Sequence, residues 1–402
     1  MPLPATEPVP VNAKVLAAAQ ALGGANPAIV ISLGGLVGAT LAPTPALTTL
    51  PVSLYHIGLA LGTLPAGAIM RRYGRRAGYL LGACFGAAAG LIAAAGVAGG
   101  AFLLFCLGTI CAGLYGSYVQ SYRFAAADGV APAFRARAIS WVMVGGLFAA
   151  VIGPQAVIWT RDLIPAAPFA ASFLAQGALA LLAVPILMRL RGVPAPAAQA
   201  GGGDARPLRE IVFTPRFAVA LMAGMVSYGL MSFVMTAAPI AMVGCGHTVG
   251  EAALGIQWHV LAMYGPSFFT GRLIQRYGKG RVTASGLALM AASAVLALSG
   301  LDLLHFWGSL VLLGVGWNLS FIGATALVTD CYRPSERTRV QACNDFLVFG
   351  SVALASLSSG SLLQSGGWQT INWIVMPTVA AVLALLLWRR GDMVSARPEA
   401  PR

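Results

Sequence analysis

The sequence predicts an all-α membrane protein of twelve transmembrane helices, arranged as two pseudo-symmetric bundles of six. Three observations carry that expectation. The 402-residue chain is 58% apolar and only 9% charged. Twelve apolar segments of spanning length follow one another along it. The two halves repeat the same landmarks. Soluble domains carry about a quarter charged residues, so this composition excludes a water-soluble globule and makes the lipid bilayer its first partner. The net charge of +13 would suggest nucleic acid in a soluble protein. Here the arginines cluster between apolar runs, the pattern of cytoplasmic membrane loops, and no nucleic-acid partner is expected.

The predicted spans, in order, are 14–41, 44–70, 77–98, 101–127, 136–160, 166–190, 216–243, 250–275, 282–300, 303–330, 339–365 and 367–390. Glycine and proline within them are compatible with bilayer helices. The first boundary is the least defined, because LAPTPALTTLP offers several break points. The opening MPLPATEPVPVNAK lacks the basic region of a cleavable signal peptide. Arg71, Arg72, Arg75 and Arg76 follow span two, and Arg276, Lys279 and Arg281 follow span eight. With the other basic clusters they fall on one face; only Arg161 lands opposite, and Arg123 lies within span four. Both termini are therefore predicted on the cytoplasmic side of a bacterial inner membrane. Residues 192–215 read as a flexible polar linker. It separates a bundle at 1–191 from a second at 216–390, which a tail at 391–402 follows. The six cysteines are scattered and form no disulfide framework.

The halves duplicate one another. His56 leads through Gly62 and Gly67 to Arg72-Tyr73-Gly74, and His259 leads through Gly265 and Gly271 to Arg276-Tyr277-Gly278. Asp128 precedes Arg135 and Arg137 as Asp330 precedes Arg337 and Arg339. Duplication of this kind marks secondary transporters in which two bundles rock about a central site. Over nearly its full length the chain resembles the major facilitator superfamily, whose loop pattern is roughly G-x-x-x-D-R-x-G-R-R. The sequence here is Gly67-Ala-Ile-Met-Arg71-Arg72-Tyr-Gly74-Arg75-Arg76, with Arg71 in place of the aspartate and Gln275 in the second copy. The resemblance implies a gating role for this loop. With the aspartate gone, Asp128 and Asp330 are the candidate partners for its arginines.

Span seven contains MSFVM, with Met231 and Met235 four residues apart, and span eight contains HVLAM, with His259 and Met263 at the same spacing. Residues i and i+4 share a helix face. Counted from the periplasmic ends, Met235 and His259 lie about 12–14 Å deep, and Met231 and Met263 about 18–20 Å deep. The four groups bracket the midplane. Thioether and imidazole ligands suit a soft ion, Cu(I) above all, although methionine is also a common gap-filler. In the first half Gly35, Ala39 and Ala60 stand opposite the three methionines, so the shared architecture does not require sulfur there. His56 is either a further pore-facing ligand or a buried polar residue.

The paired motifs resemble those of the CcoA-like copper importers of proteobacteria. That resemblance implies copper as cargo, destined for cbb-type cytochrome oxidase, with Met231, Met235, His259 and Met263 as ligands. It also implies a cytoplasmic copper chaperone or exporter as a partner. Cys245 and His247, in the periplasmic GCGHTVGE loop, are a candidate capture pair, and Cys331 and Cys343 are candidate receivers on the other side. The protein is expected not to be an enzyme and to hold no organic cofactor. No G-x-x-x-x-G-K-[ST] loop is present for direct use of ATP. Two rival readings stand beside copper import. One is an organic-solute carrier of the same superfamily, for riboflavin or a drug-like compound. The other is a non-transporting copper sensor or oxidase-assembly factor.

Overall fold

The computed structural model describes residues 11–128, 135–191 and 206–389, and all regular structure among them is helical. The first half contains α1 (Val11–Gly23), α2 (Ala25–Leu41), α3 (Leu50–Ala98), α4 (Phe102–Gln120), α5 (Tyr122–Asp128), α6 (Arg135–Thr160) and α7 (Ala170–Leu187). The second contains α8 (Leu208–Val212), α9 (Pro215–Gly244), α10 (Val249–Tyr264), α11 (Ser267–Tyr277), α12 (Lys279–Leu298), α13 (Leu303–Val328) and α14 (Arg337–Trp388). Helix is the expected outcome, since apolar segments in lipid must satisfy every backbone N–H and C=O internally.

Nine helical stretches among the described residues are long and apolar enough to cross a membrane. Two of these, at 54 and 50 residues, are far longer than one crossing needs. Each is two spans joined at a glycine in the positive-φ region, Gly74 (φ 82°, ψ 160°) in α3 and Gly367 (φ 69°, ψ −173°) in α14. That brings the total to eleven, and α10 with α11 makes the twelfth. The sequence presents this last pair as one unbroken span. The helix breaks at Gly265 and Pro266, where Asn318 Nδ2 donates to the Met263 carbonyl at 2.6 Å and to Ser267 Oγ at 2.7 Å.

The arginine-rich turn at 71–76 is narrower than expected, a one-residue break at Gly74. Its repeat, Gly278, adopts nearly the same conformation (φ 88°, ψ 153°). A side chain at either position would be strained, which explains why both copies end Arg-Tyr-Gly. Arg72 and Arg276 each lie 5.3 Å from the ring centroid of the tyrosine that follows. The duplication in sequence is thus a duplication in backbone.

Leu64, Leu103, Trp159, Leu304 and Trp373 are between 62% and 79% exposed. Apolar surface of this kind suits lipid, and the protein is a multi-pass membrane protein. Packing divides the described residues into two units. One holds residues 11–30 and 61–191. Its core includes Leu16, Met70, Tyr79, Tyr115, Tyr122, Val142 and Leu187. There Asn26 donates to the Ala112 carbonyl at 2.9 Å and accepts from Gln176 at 2.8 Å. The other unit holds Ile31–Ala60 and residues 206–389. Most of the predicted linker, the predicted tail and the side chain of Asp128 lie outside the described residues.

Candidate transport site

All the predicted ligand residues belong to the second unit. Met231 and Met235 are 7% and 2% exposed in the middle of α9. His259 is fully buried, and its Nδ1 lies 2.7 Å from the Leu310 carbonyl of α13. The two helices touch there through backbone, since a Cβ at Gly314 would lie 2.5 Å from the His259 carbonyl oxygen. His259 therefore joins α10 to α13, while its Nε2 has no hydrogen-bond partner. Met263 is buried beside the α10 break. His56 is buried too, with Nδ1 2.9 Å from the Val52 carbonyl of its own helix and its ring edge-on to Tyr55.

The remaining expected residues are held in other ways. His247 Nε2 lies 2.9 Å from the Leu301 carbonyl, and its ring packs edge-on against Phe306. Cys245, the α9 C-cap, is exposed. Burial pushes the Cys331 thiol up to about 11, so at neutral pH it lacks the thiolate that a soft metal prefers. Cys343 is half-buried in the first turns of α14. Arg71 and Arg72 are exposed. Asp330 pairs with Arg216 at 3.0 Å and with Lys279, tying together the ends of α9, α12 and α13. Lys279 belongs to the second copy of the arginine-rich loop. Among the described residues no group of three histidine, cysteine or acidic side chains is placed to hold a metal ion.

The second unit also contains a cluster that the spacing of motifs does not reveal. Tyr228, on α9, faces three rings: Trp317 at 5.3 Å, Phe321 at 5.0 Å and Phe349 at 5.6 Å. Trp317 and Phe321, one turn apart on α13, stack at 5.2 Å with an interplanar angle of 17°. Tyr228, Met231 and Met235 follow i, i+3, i+7 spacing and so share a face of α9. In the same unit Ser356 Oγ lies 3.2 Å from Ser53 Oγ and 3.0 Å from Thr236 Oγ1. The one signal in the sequence is the aromatic pair Trp317 and Phe321 at i, i+4 in α13.

Asp345 is a further candidate that motif spacing passes over. It lies within the predicted span 339–365, and its side chain is exposed. It precedes Phe349 by four residues, on the same face of α14.

The sequence pattern of the Major Facilitator Superfamily matches residues 15–265 and 248–402. The riboflavin transporter RfnT of Brucella anthropi is 62% identical over 94% of this chain and 95% of its own length. YdeG of Bacillus subtilis, an uncharacterized transporter of the superfamily, is 31% identical over 94% of this chain and 91% of its own. A point mutant of the nucleoside transporter NupG superposes with a TM-score of 0.73 at 14% identity, covering 96% of this chain and all of that one. A D-xylose–proton symporter superposes with a TM-score of 0.72 at 14% identity, covering 96% and 97%. At such identities these two structures speak for the fold alone.

These findings correct the copper reading. A relative this close, named for riboflavin, overturns copper as cargo and partner, supply of the cbb-type oxidase, and kinship with the CcoA-like importers. The expected copper chaperone or exporter falls with them. The physical reason lies in how little two four-residue spacings specify. Thioethers on an apolar helix also fill core space, and His259 serves as a joint between α10 and α13. The chain belongs to the major facilitator superfamily, as a membrane transporter and not an enzyme.

Proposed function

We propose that the protein carries riboflavin across the bacterial inner membrane by alternating access, with both termini in the cytoplasm. The 62% identity to a riboflavin transporter over nearly the whole of both chains carries this reading. The chemistry of the second unit agrees with it. Riboflavin is a flat heteroaromatic ring bearing a neutral polyhydroxylated chain. Such a solute calls for aromatic faces and neutral hydrogen-bonding groups. Among the described residues the buried charged side chains are Arg75 and Glu336, both next to breaks between helices. The orientation follows from the basic loops.

The test is uptake of radiolabelled riboflavin by a riboflavin-auxotrophic bacterium without its own importer. Expression of the chain should restore growth on low external riboflavin and give saturable uptake that excess unlabelled riboflavin blocks. Absence of uptake with the protein verified in the membrane would overturn the proposal.

A further inference from the structure

We infer that Tyr228, Trp317, Phe321 and Phe349 form the seat for the isoalloxazine ring, with the Trp317 indole N–H as its hydrogen-bond donor. The inference rests on the riboflavin reading and assigns that cargo a place. Three helices contribute: α9 supplies Tyr228, α13 supplies Trp317 and Phe321, and α14 supplies Phe349. Tyr228 and Trp317 stand near the middle of their helices, and Phe349 near the middle of the part of α14 before Gly367. This is the depth at which transporters of this architecture hold their cargo.

Two features separate the cluster from ordinary packing. The first is exposure. Tyr228, Phe321 and Phe349 remain half-buried, while Ser227, Gly229 and Val348 beside them are buried. Three aromatic side chains near the middle of their helices are thus left partly accessible. The second is an unmet hydrogen bond. Trp317 is 8% exposed, and its Nε1 has no partner. Buried indole N–H groups usually find an acceptor. A flat ligand edged with carbonyl and ring-nitrogen acceptors supplies one where it meets the aromatic faces. The Tyr228 phenol and the Trp317 indole meet a ring rich in acceptors with neutral groups.

The experiment uses the full-length purified protein in lipid nanodiscs and reads the quenching of riboflavin fluorescence on binding. Lumiflavin, which has the ring without the ribityl chain, serves as competitor. The unaltered protein should quench riboflavin, and lumiflavin should compete. Trp317→Phe keeps an aromatic face and removes only the donor, and it should weaken binding about tenfold. Tyr228→Leu keeps bulk and removes the central ring, and it should weaken binding at least as much. Trp373→Phe, on the lipid-facing surface, should bind as the unaltered protein does. Unchanged affinity in both Trp317→Phe and Tyr228→Leu, with normal binding by the unaltered protein, overturns the seat and leaves the transport reading standing. Failure of the unaltered protein to bind or transport riboflavin overturns that reading, and the seat with it.

Discussion

Replacing Gly286 with alanine is expected to force α12 and α13 apart. A Cβ at this position would lie 2.2 Å from the Ser320 nitrogen, 2.6 Å from the Gly316 oxygen and 2.8 Å from the Ser320 Cα. All three are backbone atoms, so no rotamer change relieves the clash. Favourable contacts to carbon begin at about 3.5 Å, so the helices must separate by about 1 Å. The crossing has no slack elsewhere. A Cβ at Gly316 would sit 2.8 Å from the Gly286 oxygen, and one at Gly323 would sit 2.3 Å from Thr283 Oγ1. Close approach through small residues is the main source of helix association in lipid. A gap of about 1 Å forfeits up to about half of each contact it opens.

Overpacking costs about 1–3 kcal/mol, and a clash against backbone belongs at the upper end. Alanine returns about 1 kcal/mol through helix propensity, which leaves a net loss of about 2 kcal/mol. Gly224 supplies the control, since a Cβ there would meet Val348 Cγ2 at 3.7 Å and Ala324 Cβ at 3.9 Å, ordinary contacts. The assay is thermal unfolding in detergent, followed by fluorescence-detected size exclusion at one heating rate. Gly286→Ala should melt several degrees below the unaltered protein, and Gly224→Ala at or above it. Because α13 carries Trp317 and Phe321, the first variant should also bind riboflavin more weakly. Equal melting of the two alanine variants would refute the reasoning.

Two further outcomes are expected. Glu336 is 1% exposed and accepts hydrogen bonds from the Arg206 backbone, from Nε and Nη2 of the Arg206 guanidinium and from the Arg333 backbone. The Arg206 guanidinium, first among these, holds its carboxyl well below the usual carboxylate range. The stabilisation is therefore complete above the ordinary glutamate value of about 4.3 and is lost as pH falls below it. Melting temperature should drop from about that pH downward, and Glu336→Gln should flatten the slope. Met235→Leu, which conserves volume and removes sulfur, should change riboflavin uptake by less than about twofold. A large loss would give the sulfur a role beyond packing.

The fold is legible because lipid leaves few choices. Spans of about twenty apolar residues must be helices, and the repeated Arg-Tyr-Gly marks two breaks that the backbone places at Gly74 and Gly278. The α10–α11 break falls on a Gly265-Pro266 pair of the kind that bilayer helices often tolerate, and the Asn318 that supports the break is more than fifty residues away from Pro266. The aromatic cluster is hidden because its members lie far apart in the chain. Tyr228, Trp317 and Phe349 are brought together by packing and not by spacing. MSFVM and HVLAM are conspicuous because their members are close in sequence. Closeness in sequence shows a shared face, and what that face meets depends on helices the motif does not contain.

The cargo sets a last requirement. Riboflavin is uncharged at neutral pH, so the membrane potential alone does no work on it. Accumulation against a gradient requires coupling to a second species that moves down its own gradient, and a proton is one such species. Among the described residues Asp345 is the only acidic one more than a turn inside a long helix, eight residues past the start of α14 at Arg337. That places it about 12 Å along the helix axis. It stands one turn before Phe349 on the same face, and its side chain is exposed. An intramembrane carboxylate is a functional group by default, which makes Asp345 the residue at which coupling to a proton gradient is to be tested. In proteoliposomes with an alkaline interior, the unaltered protein should accumulate riboflavin above the external concentration. Asp345→Asn should still exchange riboflavin down its gradient but lose the response to the pH difference. Accumulation by Asp345→Asn equal to that of the unaltered protein would show that the coupling ion is carried elsewhere.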